Sequence, residues 1–151
     1  MAEDACHTLV ALVARLAEGG PVPRRFLMAL GREGAGIRSG PLGLVDLAVG
    51  GRNRVLGRGL KPAYDDGSRG QVRHFTGVAT STALLGAGFT RWASLTLRRD
   101  GADTPDGRLS EAAVEFASLL LSRKLAVQDA SAWVRDTLCD APRPVFRRRQ
   151  D

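Results

Sequence analysis

The chain has 151 residues, of which 44% are hydrophobic and 5% aromatic, and its formal net charge is +6. This length suits one domain with a sizeable core, and the hydrophobic fraction excludes an intrinsically disordered chain. Two cysteines cannot make a disulfide framework, so the core itself must hold the fold together.

Apolar residues at helical spacing predict the first elements of the chain. The first helix carries its apolar residues on one face: Leu9, Leu12, Val13 and Leu16. A short second helix is expected to follow Pro23 and to end at Gly31, and residues 41–49 allow two more helical turns. Eleven glycines from Gly31 to Gly70 argue against long regular elements in that stretch.

The start of the central helix is predicted from Ser68 and Gln71. Ser68-Arg-Gly-Gln71 matches a capping box, in which the serine caps a backbone N–H and the glutamine reaches back. The helix is therefore expected from about Arg69 to Leu85. The following segment, residues 89–97, has features of both helix and strand.

Two further helices are predicted after a turn-rich loop at residues 100–107. The first is amphipathic and spans about Leu109 to Leu120, and the second spans about Asp129 to Cys139. The fold class is therefore all-α: a compact bundle of five to seven helices with a Gly/Arg-rich irregular segment. Residues 1–141 are predicted to form a single helical domain, and residues 142–151 a basic C-terminal tail.

The N-terminus and the cysteines predict a cytoplasmic protein. Residues 1–7 are acidic where a secretory signal would be basic, although export without a signal peptide is left open. No stretch reaches the roughly 18 uncharged apolar residues that a membrane span needs. Cys6 and Cys139 are expected to be reduced thiols, with a bridge between them as the alternative.

Positive charge is unevenly distributed along the chain. Residues 24–73 carry a net +6 and residues 142–151 a net +3, whereas residues 74–141 carry −1. Basic segments attract phosphate through counterion release, and arginine offers a planar fork for phosphate oxygens. One hypothesis is therefore nucleic-acid binding through these arginines: Arg52, Arg54, Arg58, Arg143, Arg147, Arg148 and Arg149.

The densest group of reactive side chains lies between Tyr64 and Phe75. His74 is the candidate general base, and Asp65 or Asp66 would orient its imidazole. A helix N-terminus with two guanidinium groups is a plausible anion site. The residues predicted to bind an anionic substrate are Arg69, Arg73 and Gln71.

A purely structural interpretation of this group is also open: the acidic and serine side chains cap the helix, and His74 lies at the edge of the core. Ser81 is two helical turns (roughly 10 Å) from His74 and cannot be its direct partner. The carboxylates that remain available are Asp103, Asp106, Glu111 and Glu115. No cofactor or metal site is predicted, because neither C-x-x-C nor H-x-x-x-H occurs.

Gln71-Val-Arg-His-Phe75, preceded by an Asp pair, resembles the (D/N)-x-Q-V-R-H-F motif of an uncharacterised bacterial helical domain. That domain pairs the motif with a downstream D-x-x-L-N-x-x-G segment. Here Asp106-Gly-Arg-Leu109-Ser110 would occupy the second motif, with Ser110 in place of Asn, and four residues (67–70) separate the Asp pair from Gln71. Some related domains look like toxin or effector modules, and the resemblance supports His74, Arg73 and Asp66 as a set.

The leading functional hypothesis is a small helical enzyme or toxin-like effector that acts hydrolytically on an anionic substrate through His74. The first alternative is a non-catalytic, basic nucleic-acid-binding protein. The second is a helical interaction module that assembles with itself or with a partner.

Overall fold

A computed structural model describes residues 4–96, 101 and 103–140 of the chain. Its helices are α1 (Ala5–Ala17), α2 (Pro23–Ala35), α3 (Pro41–Ala48), α4 (Gln71–Leu85), α5 (Ala87–Thr96), α6 (Pro105–Leu121) and α7 (Ala130–Leu138). Short 3₁₀ turns lie at Pro62–Tyr64 and Val127–Asp129. These seven α-helices, with no strand in the described ranges, confirm the predicted all-α bundle. The predicted basic tail lies outside the described residues.

Helix α4 is the centre of the bundle and packs against α2 on one side and α6 on another, while α1 packs against α7. Three fully buried phenylalanines join these layers. The ring centroid of Phe116 lies 5.4 Å from that of Phe75 and 6.4 Å from that of Phe26. On its other side the Phe116 ring lies 5.1 Å from that of Trp133, which extends the aromatic contact to α7.

Helix α2 continues one turn beyond Gly31, where the sequence predicted its end. Gly31 and Gly34 are buried against α4, and a Cβ at Gly31 would lie 2.1 Å from Oγ1 of Thr80. A Cβ at Gly34 would lie 2.6 Å from Cγ2 of Thr76. These glycines therefore permit close packing of two helices, and the helix ends instead at Gly36, whose φ is 65°.

The predicted capping box at the start of α4 is wrong. The helix begins at Gln71, and its N-cap is Gly70, which offers no side chain. Ser68 Oγ accepts a hydrogen bond from the Gly70 backbone N–H outside the helix (3.3 Å). The Gln71 side chain instead donates from its amide nitrogen to both carboxylates of the Asp pair, and ionised acceptors make such hydrogen bonds strong.

The described ends of the chain meet on either side of a short extended segment, residues 57–61, which we call the strap. Asp4 bridges to Arg58 on one side, and Leu60 bridges to Cys139 on the other. Backbone hydrogen bonds from Ala5 N–H to Arg58 (2.7 Å) and from Lys61 N–H to Leu138 (2.8 Å) secure both seams. Part of the Gly/Arg-rich segment is therefore firmly anchored.

A disulfide joins Cys6 to Cys139, whose Cα atoms lie 5.5 Å apart. The prediction of two reduced thiols is therefore wrong, and the alternative of a bridge is what the structure contains. The strap explains the pairing, because it brings residues 133 positions apart in the sequence to the same place. Among the described residues, no helix is long and apolar enough to cross a membrane.

Helix α3 is attached differently from the rest of the bundle. It buries only Gly43 and Asp46. The Asp46 carboxylate accepts hydrogen bonds from the Arg38 backbone N–H (2.8 Å) and from Nε and Nη2 of its guanidinium (both 3.0 Å). This contact, hereafter the Arg38–Asp46 clamp, holds α3 mainly by polar interactions.

Candidate functional site

Residues 65–71 form a tight turn that leads into α4. Asp65 accepts a hydrogen bond from the Gly67 N–H and Asp66 one from the Ser68 N–H, each at 2.8 Å. The buried Gln71 amide nitrogen then donates to both carboxylates, at 3.0 Å to Asp65 and 2.7 Å to Asp66. The turn therefore fixes both acidic side chains immediately before the helix.

His74 lies in the first turn of α4 and is half-buried against the start of α6. Its Nε2 atom is 2.7 Å from Ser110 Oγ and 3.3 Å from the Asp106 carbonyl oxygen. Two proton arrangements satisfy this geometry. Ser110 can donate to an unprotonated Nε2, or a protonated Nε2 can donate to the serine and the carbonyl. The imidazole is thus held in place by α6 in either tautomer.

Asp66 adds negative charge to this network. Burial alone would raise the pKa of Asp66, but the Ser68 hydroxyl and backbone, the Asp106 side chain and the charge of His74 together hold that pKa below its usual value. Asp66 is therefore ionised at neutral pH. Its negative charge favours protonation of the nearby imidazole, which is what a base needs when it accepts a proton.

A cleft of about 530 Å³ opens beside His74, between α3, α4 and α5. Its floor is α4, with Arg73 and His74 at one end and Leu85 at the other. The two walls are mainly apolar residues from α3 and α5: Leu44, Leu47, Ala48, Val49, Phe89 and Ala93. The volume falls within the roughly 300–1,000 Å³ range of small-molecule sites.

The predicted anion-binding residues occupy three different positions. Arg73 lines the cleft next to His74, and no carboxylate of the described chain forms a salt bridge with it. Arg69 precedes the helix, is exposed and does not line the cleft. Gln71 is 1% exposed, and its amide nitrogen is already shared by the two aspartates. Arg73 alone therefore faces the same cleft as His74.

Ser110 is the residue of this network that the sequence did not single out as a partner of His74. A signal was present, because Ser110 lies four residues after Asp106, on one face of an amphipathic helix. Of the other candidates, Glu111 is exposed and pairs with Arg91, while Glu115 is exposed. Ser81, excluded as a partner of His74, is hydrogen-bonded to Thr90 instead.

The arginines of the nucleic-acid hypothesis fall on both sides of the boundary of the described chain. Arg52, Arg54 and Arg58 are exposed on the segment that leads into the strap. The Arg58 guanidinium donates to the Gly67 carbonyl oxygen (3.0 Å). The tail arginines at 143 and 147–149 lie outside the described residues. Nucleic-acid binding therefore stays a prediction.

Within the described part of the chain, no group of three or more His, Cys, Asp and Glu side chains is arranged to hold a metal ion. Comparison with protein-family models, with curated proteins and with solved structures finds no match to this chain. The case for a function therefore depends on the geometry around His74.

Proposed function

We propose that the chain is a small helical hydrolase in which His74 is the general base and Arg73 binds an anionic group of the substrate. One observation carries the proposal: His74 lines a cleft of about 530 Å³ while its Nε2 is held 2.7 Å from Ser110. An imidazole that is both oriented and open to a cleft has the two properties that a general base requires.

The chemistry uses water as the nucleophile. The imidazole takes a proton from a water molecule as the water oxygen bonds to the carbonyl carbon of the substrate. When the tetrahedral intermediate collapses, the bond to the leaving group breaks and the imidazolium returns the proton to that group. Asp66 stabilises the imidazolium between these steps, because its carboxylate interacts electrostatically with His74.

Ser110 serves in this scheme as a positioning residue. Its side chain lies in the interface between α4 and α6, and the residue is only 5% exposed. A hydroxyl so enclosed is a poor nucleophile for a substrate in the cleft, but it can fix the plane of the imidazole. The Asp106 carbonyl oxygen, 3.3 Å from the same nitrogen, assists this orientation.

Arg73 supplies the anionic specificity. Arg73 is half-buried and lines the cleft next to His74, and no described carboxylate forms a salt bridge with it. A planar guanidinium binds a carboxylate or phosphate through two parallel hydrogen bonds. A substrate anchored in this way would present a neighbouring bond to the imidazole.

The disulfide bears on where this activity takes place. Structural disulfides persist in oxidising compartments and are rare in the cytosol, where thiol reductants keep cysteines reduced. The Cys6–Cys139 bridge is buried with the core. It therefore favours action in an oxidising environment over the cytoplasmic location expected from the sequence.

The test replaces His74 with Gln and measures hydrolysis of a panel of chromogenic carboxylic and phosphoric esters that carry an anionic group. We expect kcat to fall by about 100-fold or more, as for loss of a general base. In the unaltered chain, kcat should decline as falling pH protonates the imidazole. His7→Gln is the matched control, because it removes the second histidine, on α1 and paired with Asp4.

Two results would overturn the proposal. The first is a folded His74→Gln variant, verified by circular dichroism, that retains the full rate. The second is a complete lack of turnover by the unaltered, oxidised chain across the whole panel.

A further inference from the structure

The cleft beside His74 is long as well as large. Its floor runs along α4 from Arg73 to Leu85, a distance of about 18 Å at the rise of an α-helix. Charged lining residues occur only at the Arg73–His74 end, and Leu85 and Phe89 lie at the other. The cleft therefore has one polar end and one apolar end.

The described residues of the chain leave the apolar walls uncovered. Leu44 on α3 is 50% exposed, and Phe89 and Trp92 on α5 are 48% and 51% exposed. The Phe89 and Trp92 rings are in tilted contact, with centroids 5.6 Å apart, and continue the apolar surface past the edge of the cleft. Scattered exposed apolar side chains are ordinary, but a contiguous set around a cleft marks a binding site.

The hydroxyl groups in the middle of the cleft are already satisfied. Thr90 donates to the Gly86 carbonyl oxygen (2.8 Å), so Ser81 is the donor in the 3.0 Å contact between the two hydroxyls. A ligand therefore meets no unsatisfied hydroxyl donor between the charged end and Leu85. An aliphatic chain can occupy this stretch without leaving a buried polar group unpaired.

We infer that the cleft binds a free, single-chain amphiphile that consists of one unbranched aliphatic chain and an anionic carboxylate head group. The head group pairs with the Arg73 guanidinium next to His74, and the chain lies along α4 between α3 and α5. Charge complementarity fixes the orientation, since Arg73 is the one arginine among the described residues that line this cleft.

This inference rests on the proposed function, for which it names the class of product: a long-chain carboxylate released from an ester. The hydrolase would act on esters with a long aliphatic part, since the apolar length of the cleft lies directly beside the imidazole. Binding can nevertheless be measured without any reaction, because a simple fatty carboxylate contains no bond that His74 could cleave. Failure of binding and failure of catalysis are therefore separable.

The experiment titrates the oxidised chain with decanoate, dodecanoate and dodecanol by isothermal calorimetry, below their aggregation concentrations. We expect one dodecanoate per chain, an affinity about fourfold higher for each added methylene, and binding of dodecanol at least tenfold weaker. Arg73→Gln should bring the dodecanoate affinity down to that of dodecanol. Arg25→Gln, on exposed α2 surface away from the cleft, should leave it unchanged.

A second variant tests the location of the aliphatic chain. Ala48 is exposed on α3 and lines the cleft, so Ala48→Trp should fill the cleft without disturbing the core and reduce dodecanoate affinity at least tenfold. The inference fails if dodecanoate does not bind, or if Ala48→Trp binds it as well as the unaltered chain. It also fails if the chain binds aggregated lipid vesicles but not monomeric dodecanoate. A dimer detected by light scattering that blocks dodecanoate binding would overturn it as well.

The hydrolase proposal and the ligand proposal can therefore be tested separately. Dodecanoate binding without turnover of dodecanoyl esters would remove the hydrolase and keep the ligand class. Turnover of short anionic esters without dodecanoate binding would keep the hydrolase and overturn the ligand class.

Discussion

The two sides of α4 use small residues in opposite ways. Toward α2, Gly31 and Gly34 let the partner helix come so close that a methyl group would collide with the threonines of α4. Toward the cleft, a Cβ at Gly77 would find its nearest atoms, on Ala35 and Ile37, at 4.0 Å. Glycine on the α2 side allows two helices to pack closely, whereas glycine on the cleft side leaves room for a ligand.

This difference shows why small residues alone do not predict packing. Threonines on α4 fill the spaces opposite the α2 glycines, and their hydroxyls bond to backbone carbonyls of their own helix, at 2.8 Å from Thr76 to Val72 and from Thr80 to Thr76. Opposite the cleft face stands α3, which is attached through a polar clamp and leaves its apolar residues half-exposed. The partner decides whether a small residue packs tightly or lines a cavity.

The largest change in the free energy of unfolding is expected from loss of the disulfide, which secures the packed half of the molecule. For cysteines 133 residues apart, the chain-entropy model gives a stabilisation of about 5 kcal/mol as an upper value. Replacing both Cys6 and Cys139 with Ala should therefore lower the free energy of urea unfolding by up to this amount. The oxidised chain should respond to dithiothreitol in the same direction, whereas the double variant should not respond at all.

A smaller change in the free energy of unfolding should distinguish the two sides of α4, when a glycine on each side is replaced with alanine. Gly31→Ala places a Cβ 2.1 Å from Thr80 Oγ1. Overpacking costs about 1–3 kcal/mol, and the helix propensity of Ala returns about 1 kcal/mol, so we expect a net loss of up to about 2 kcal/mol. Gly77→Ala makes only ordinary contacts and should be neutral or stabilising by up to about 1 kcal/mol. Equal effects of the two variants on the urea midpoint would contradict the comparison.

The smallest change in stability should appear at acid pH and be confined to α3, which forms one wall of the cleft. Hydrogen bonds from the Arg38 side chain and backbone lower the pKa of Asp46 from 3.8 to about 2. A depressed folded-state pKa gives stability that is present above the unfolded value and is lost as pH falls. The clamp should therefore weaken as pH falls from 3.8 through about 2.

Hydrogen exchange measured between pH 4 and pH 2 would check this, with α3 amides losing protection before those of α6. Asp46→Asn should expose α3 amides even at pH 5, while the exposed Asp140→Asn should not. Simultaneous loss of protection in both helices, in every variant, would show that the clamp has no separate role.

The helices were predictable because their apolar spacing is strong, as on α1 and α6. The predicted helix end at Gly31 is wrong because glycine ends helices in many sequences. That Gly31 lies within a helix follows only from its packing against threonines more than 40 positions away in the sequence. The predicted capping box is wrong for a local reason, since the Gln71 amide nitrogen donates to two neighbouring carboxylates.

Part of the candidate site could also be predicted from the sequence. His74, Arg73 and Asp66 stand close together along the chain, and the structure places each of them in or beside the same network. The contact between Ser110 and His74, and the apolar walls of the cleft, depend on which face of α6 meets α4 and on how far α3 stands away. Those are properties of tertiary packing and have no signature within one segment.

The strap has a consequence for the order of events in folding. The strap pairs with Asp4 and Ala5 at Arg58, and with residues 138–140 at residues 59–61. Its second seam cannot form until residues near 139 have been synthesised and released, so the middle of the chain must wait for its C-terminal helix. Such long-range pairing slows folding relative to a bundle made of local contacts. The nascent chain should therefore remain open to proteases until residues near 139 have left the ribosome.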